Sequence, residues 1–210
     1  MMDWTSYRLQ DYVPFTEQVY FRLMERMGET FWPLHLLMLV LGGAALVRIL
    51  KARPRVALVL MVPAWLLVAV AFFLQRYAQL NWAGHYMGYA FGVQAALLLL
   101  IALSGRGLNY PRGGQRTALA IGVVLGLFGL IGLPLITLLG GASWYQAQVF
   151  GIHPDPTVLV SLGVVVLGLR GPAKWFAAMV PVFWLGISGL TLLALHWREV
   201  STLTGGAFPG

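Results

Sequence analysis

Five apolar runs, each about 20 residues long, dominate this chain, and that is the length an α-helix needs to cross roughly 30 Å of hydrocarbon. They read as helices over 30–50, 56–73, 82–103, 118–139 and 175–197. Their apolar residues come as continuous stretches rather than one-sided stripes, the pattern of a helix that faces lipid instead of water. Composition agrees: 59% of the 210 residues are hydrophobic and 10% are charged. Soluble chains carry roughly a quarter charged residues, so too little charge is present here to cover a water-facing surface. One compact all-α membrane bundle is the expected fold.

A sixth helix completes the expected set, and it is short. Within FGIHPDPTVLVSLGVVVLGL, only 13 apolar or small residues run from Thr157 to Leu169 before Arg170, a rise of about 20 Å. Asp155 followed by Pro156 reads as a side-chain cap and a first helical residue that needs no donor. The preceding loop, with its Gly, His and Pro residues, then dips below the surface or the bilayer thins there. Non-helical backbone at such depth must be covered by protein or line a wet cavity.

Residues 1–29 form a polar, aromatic tail. Within it Phe15, Val19, Leu23 and Met27 recur every fourth position, which predicts an amphipathic helix lying in the membrane interface. Thr30 is the expected N-cap of the first span, with Pro33 in its first turn. The bundle is expected over 30–198 and a closing tail over 199–210. MMDWTSYRLQDYV lacks a basic start followed by an apolar core, so no cleaved signal peptide is expected.

Lys and Arg give the orientation. Arg48, Lys51, Arg53 and Arg55 follow the first span; Arg106, Arg112 and Arg116 follow the third; Arg170 and Lys174 follow the fifth. The remaining connections carry Arg76 alone or nothing. The basic connections face the cytoplasm by the positive-inside rule, which puts both termini on the outer side of a bacterial inner membrane. The net charge of +7 is thereby explained by topology, and nucleic acid is not an expected partner; membrane lipid and protein companions are. Gly88 and Gly92, and Gly122 and Gly126 with Gly129 and Gly132, are small residues at helical spacing that let helix backbones approach within the bundle.

No motif for a catalytic elbow, a phosphate-binding loop or a metalloprotease helix occurs, no cysteine is present, and catalytic residues are not assigned. Two other constellations remain. With termini outside, His35, His85, His153 and His196 all fall towards the outer side together with Asp155, where imidazoles would hold a metal, a haem or a quinone; the sequence requires no such cofactor, and interfacial structural roles explain each histidine as well. A solute path would instead run past Gln94, Asp155, Thr157, Ser161 and Ser188, entered at the broken start of the short helix. Apart from Arg48 at the inner end of the first, no Lys, Arg or acid lies inside the six predicted spans, which argues against ion coupling. Trp82, Tyr86 and Trp197 fit an interfacial aromatic belt.

The run FGIHPDPTVLVSLG, through Phe150, Gly151, Pro154, Pro156, Thr157 and Gly163, resembles the most distinctive segment of a bacterial membrane-protein family catalogued as domain of unknown function six-zero-six-four. Pro14-Phe15-Thr16, Glu17, Trp32-Pro33 and Gln94 are similar too. Asp155 stands where members often carry Cys, and STLTGGAFPG stands where they tend to continue into another apolar segment. The resemblance implies an integral membrane protein and carries no activity. Of the functions left, a non-catalytic accessory or scaffold subunit of a larger membrane complex leads. An uncoupled facilitator or channel for a small solute comes next, and an outer-side cofactor site third.

Overall fold

The computed structural model describes residues 17–110 and 116–203, with the backbone alone at 17, 20 and 195–203. Seven helices account for most of the described chain: α1 (Glu17–Thr30), α2 (Leu34–Leu50), α3 (Pro54–Leu80), α4 (Ala83–Ser104), α5 (Arg116–Leu139), α6 (Pro154–Gly168) and α7 (Gly171–Leu203). No strand occurs among the described residues, only two isolated bridges. Four helices, α3, α4, α5 and the 171–194 part of α7, are long and apolar enough to cross a membrane; a fifth span results if α1 and α2, bent by 94° at their junction, count as one. The six expected spans are thus four or five by length and apolarity. At 15 residues, α6 rises only about 22 Å.

The junction before α2 also differs from expectation. Thr30 does not cap the first span; it ends α1, where its hydroxyl donates to the Arg26 carbonyl at 2.7 Å. Pro33 lies just ahead of Leu34, outside the helix, because proline disfavours helical backbone in the residue before it and so starts a new helix cleanly. At the other end, α7 continues through Leu203, into the segment read as a tail.

Helix α6 is the centre around which the others stand. It is apolar on every side, and of its 15 residues all but Val166 are buried. Helices α2, α3, α5 and α7 pack directly on it. The closest approach is to α5: a Cβ at Gly163 would come within 2.5 Å of the Gly122 carbonyl oxygen and 3.0 Å of the Gly126 Cα. Gly92, by contrast, faces open space, so the expected small-residue contact on α4 rests on Gly88 alone. Deeper in the bundle, Trp65, Phe73, Phe91 and Trp184 from α3, α4 and α7 form one aromatic cluster, with ring centres 4.5–5.8 Å apart.

Two helices lose regular α geometry. The second half of α3, Val68–Tyr77, is a π-helix, and Phe128–Gly132 in α5 is another. The wider turn puts residues five apart on one face, and Phe72 and Tyr77 stack accordingly, 5.9 Å apart at 18°.

Outer faces are apolar. Trp175 and Trp82 are each 75% exposed, and Leu139 is 85% exposed. Tyr86 and Tyr89 also face outward on α4, whereas Phe91 on the same helix is fully buried.

Candidate functional site

Burying a whole helix requires its unpaired end groups to be satisfied, because the first N–H groups and the last carbonyls have no partner inside it. The start of α6 removes most of that demand by composition. Pro154 and Pro156 have no N–H, and the N–H of His153, the N-cap residue, is bonded to the Val149 carbonyl at 3.0 Å. Only the Asp155 N–H is left of the usual set. The far end is closed by the connection after α4: the Asn109 N–H reaches the Gly168 carbonyl at 2.7 Å, and Asn109 Nδ2 reaches that of Leu167 at 3.1 Å.

The turn feeding α6 is held by side chains. Gly151, at φ +77°, takes a conformation open to glycine and strained for other residues. Its N–H donates to Thr157 Oγ1 at 2.8 Å, and that hydroxyl donates to the His153 carbonyl at 2.7 Å. His153 itself spans two elements. Its Nδ1 accepts from the Val149 N–H at 3.0 Å, and its Nε2 lies 3.3 Å from the Met24 carbonyl on α1. A backbone N–H can only donate and a carbonyl only accept, so the ring is neutral with its proton on Nε2. Burial drives its pKa down to about 4, with the nearby His35 pushing the same way.

Asp155 is not the cap expected of it. It lies one residue inside the helix, where Trp184 Nε1 donates to Oδ1 at 2.6 Å and Ser188 Oγ to Oδ2 at 3.0 Å. Trp184 and Ser188 are one turn apart on α7, hence on one face. Further along α6, Ser161 Oγ accepts from Trp65 Nε1 at 3.3 Å. The two buried indoles thus find oxygen partners on α6, as buried Trp N–H groups generally do.

Gln94 on α4 serves a different gap. Its Nε2 donates to the Ala177 carbonyl at 2.8 Å. That carbonyl would normally receive the N–H of residue 181, which is Pro181 inside α7 and has none to give. The amide of Gln94 takes the missing donor's place, while its own Oε1 has no partner.

Placed together, the predicted residues separate. His153, Asp155, Thr157 and Ser161 lie along α6, with Ser188 joined to Asp155. His35, at the start of α2, is buried near His153; its Nδ1 is 3.3 Å from the Phe31 carbonyl and its Nε2 has no partner. His85 is exposed, and His196 lies outside the residues whose side chains are described. No group of three or more His, Cys, Asp or Glu suited to a metal ion occurs among the described residues, and both nitrogens of His153 are already engaged. Two cavities, of about 560 and 330 Å³, flank α1 and are not lined by Gln94, Asp155, Thr157, Ser161 or Ser188. The partners that sequence reasoning missed are Trp65, Trp184, Asn109, Pro181 and the Met24 carbonyl. Of these only the Trp184–Ser188 spacing left a local trace.

These features define an all-helical protein with several apolar helices of membrane-spanning character, organised on a short buried one. The chain belongs to a family of unknown function (DUF6064), whose model matches residues 17–207. No curated protein and no solved structure matches it.

Proposed function

We propose that this chain is a non-catalytic scaffold or accessory subunit of a larger complex in the bacterial cytoplasmic membrane. In this reading α2 to α7 are six spans, with α6 crossing inside a sheath of longer neighbours. Nine of the 14 basic residues fall on alternate connections, which favours both termini outside. Helix α1, turned 94° from α2, then lies along the outer membrane interface. Its Leu23, Met24 and Met27 are buried against the protein, while Arg22, Arg26 and Glu29 are exposed.

One observation carries the scaffold reading. The polar side chains that sequence analysis singled out inside the bundle are spent on holding helices to one another: Asp155 to α7, Ser161 to α3, Gln94 to the break in α7. Thr157 and His153 close the turn between them. A facilitator needs those groups to line a path, and a cofactor site needs two neighbouring imidazoles free to ligate, whereas His153 beside His35 has both nitrogens engaged. Large exposed apolar side chains on α5 and α7, including Phe176, Met179, Val182 and Phe183, offer faces for lipid and for companion spans, which in lipid associate by close packing.

The test is the mass of the intact particle, released gently from its native membrane. Companions in fixed stoichiometry are expected. A lone protomer across several mild detergents contradicts the reading and returns the facilitator to first place.

A further inference from the structure

Helix α1 and the polar end of α3 enclose the larger of the two cavities, about 560 Å³. Arg22 and Arg26 stand one turn apart on one wall, and Arg76 faces them from α3 with Gln75 and Gln79 beside it; Val19, Leu23 and Leu80 make the apolar part of the lining. Arg76 is held in place on two sides, with Nη1 donating to the Ala71 carbonyl at 3.0 Å and the guanidinium 5.2 Å from the Phe31 ring centre. That carbonyl lies in the π-helical part of α3, so the irregular backbone also fixes the cation. Packing uses only part of the Arg76 donor fork. Among the described residues no carboxylate lines the cavity, and Glu25 and Glu29 on α1 are absent from its walls.

We infer that this cleft is a binding site for a phosphate group, with Arg22, Arg26 and Arg76 as its ligands. Three cations around a cavity with no counter-charge among its described lining residues select an anion, and guanidinium forks match phosphate oxygens in pairs. The amides of Gln75 and Gln79 add neutral donors. Size and position suit the headgroup of an anionic phospholipid, since the apolar length of α3 ends beside the cleft and Leu23 and Leu80 continue that surface. A soluble phosphate would use the same donors. Arg76 is the lone basic residue at the end of α3 that the charge count assigns to the outer side, so a ligand role accounts for a charge that topology does not. The inference of a lipid source rests on the membrane reading given above.

The experiment is native mass spectrometry of the purified full chain with added phosphatidylglycerol or phosphatidylcholine of equal chain length. A parallel arm measures thermal stability with inorganic phosphate against chloride at equal ionic strength. Retention of phosphatidylglycerol over phosphatidylcholine by about tenfold is expected, with the preference falling at least about fivefold in the Arg22→Gln/Arg26→Gln variant and in Arg76→Gln. Arg48→Gln/Arg53→Gln, which alters a basic connection elsewhere, should keep it. Phosphatidylglycerol retention without an effect of inorganic phosphate assigns the headgroup; stabilisation by inorganic phosphate, lost in the same arginine variants, assigns a soluble phosphate. Equal retention of both lipids together with no phosphate effect overturns the site, as does a response that all three variants share. Alkaline carbonate extraction of the expressed protein separates the two claims: release into the supernatant sinks the membrane reading whatever the ligand counts show.

Discussion

His153 has a protonation state written into its surroundings. One ring nitrogen meets a donor and the other an acceptor, so a second proton has no place without breaking the bond from Val149. Its folded pKa of about 4 lies below the ordinary 6.5, and as pH falls the unfolded chain therefore takes up the proton first. Stability from this group is complete above about pH 6.5, declines between there and about pH 4, and is flat below. The loss is about 3 kcal/mol. Unfolding followed in detergent across that window should show the decline in the wild type and in His85→Gln, and lose most of it in His153→Gln. A profile that is level from pH 7 to 4 contradicts the assignment. Asp155 teaches the complementary lesson. Asp followed by Pro is a fair helix-start signal, yet Pro154 starts the helix one residue earlier and leaves the carboxylate free to point elsewhere. Its partners are 29 and 33 residues away, and no local pattern announces which face of α7 will meet it.

Elements in this protein carry breaks that other elements repair. Pro181 removes a donor from the middle of α7, and Gln94 on α4 supplies one. The pairing makes a double-mutant prediction. Gln94→Leu should cost about 1–3 kcal/mol, since the Ala177 carbonyl is left buried and unpaired. In a Pro181→Ala background the helix regains its own N–H, and the same substitution should cost markedly less. Equal costs in both backgrounds, measured by denaturant unfolding in mixed micelles, would mean that Gln94 serves something other than the break. The long apolar helices α3, α4, α5 and α7 were legible as runs, because length and hydropathy need no tertiary information. The turn between α1 and α2 was not, since Thr30 is equally suited to end one helix or cap the next. The π-helical stretches left no mark in the sequence, because every residue in Val68–Tyr77 is compatible with an ordinary apolar helix.

Across the whole molecule, α6 is the element on which α2, α3, α5 and α7 pack. It is short, buried all round, closed at one end by Pro154, Pro156 and Thr157 and at the other by Asn109. Its approach to α5 depends on Gly163, and its side chains reach α3 and α7. The sequence marked this segment as unusual by its length and its loop, but left open whether it lines a wet cavity or fills a dry core. Those alternatives differ in water access, and backbone amides report that directly. The measurement that tests the account most directly is hydrogen–deuterium exchange on the intact protein in lipid nanodiscs, read peptide by peptide. Exchange over 150–168 should be the slowest in the chain, at least about a hundredfold slower than at the polar end of α3 around Gln75–Leu80. Rapid exchange through Gly151–Ser161 would mean that water reaches the start of α6, and the buried hub would give way to an open path.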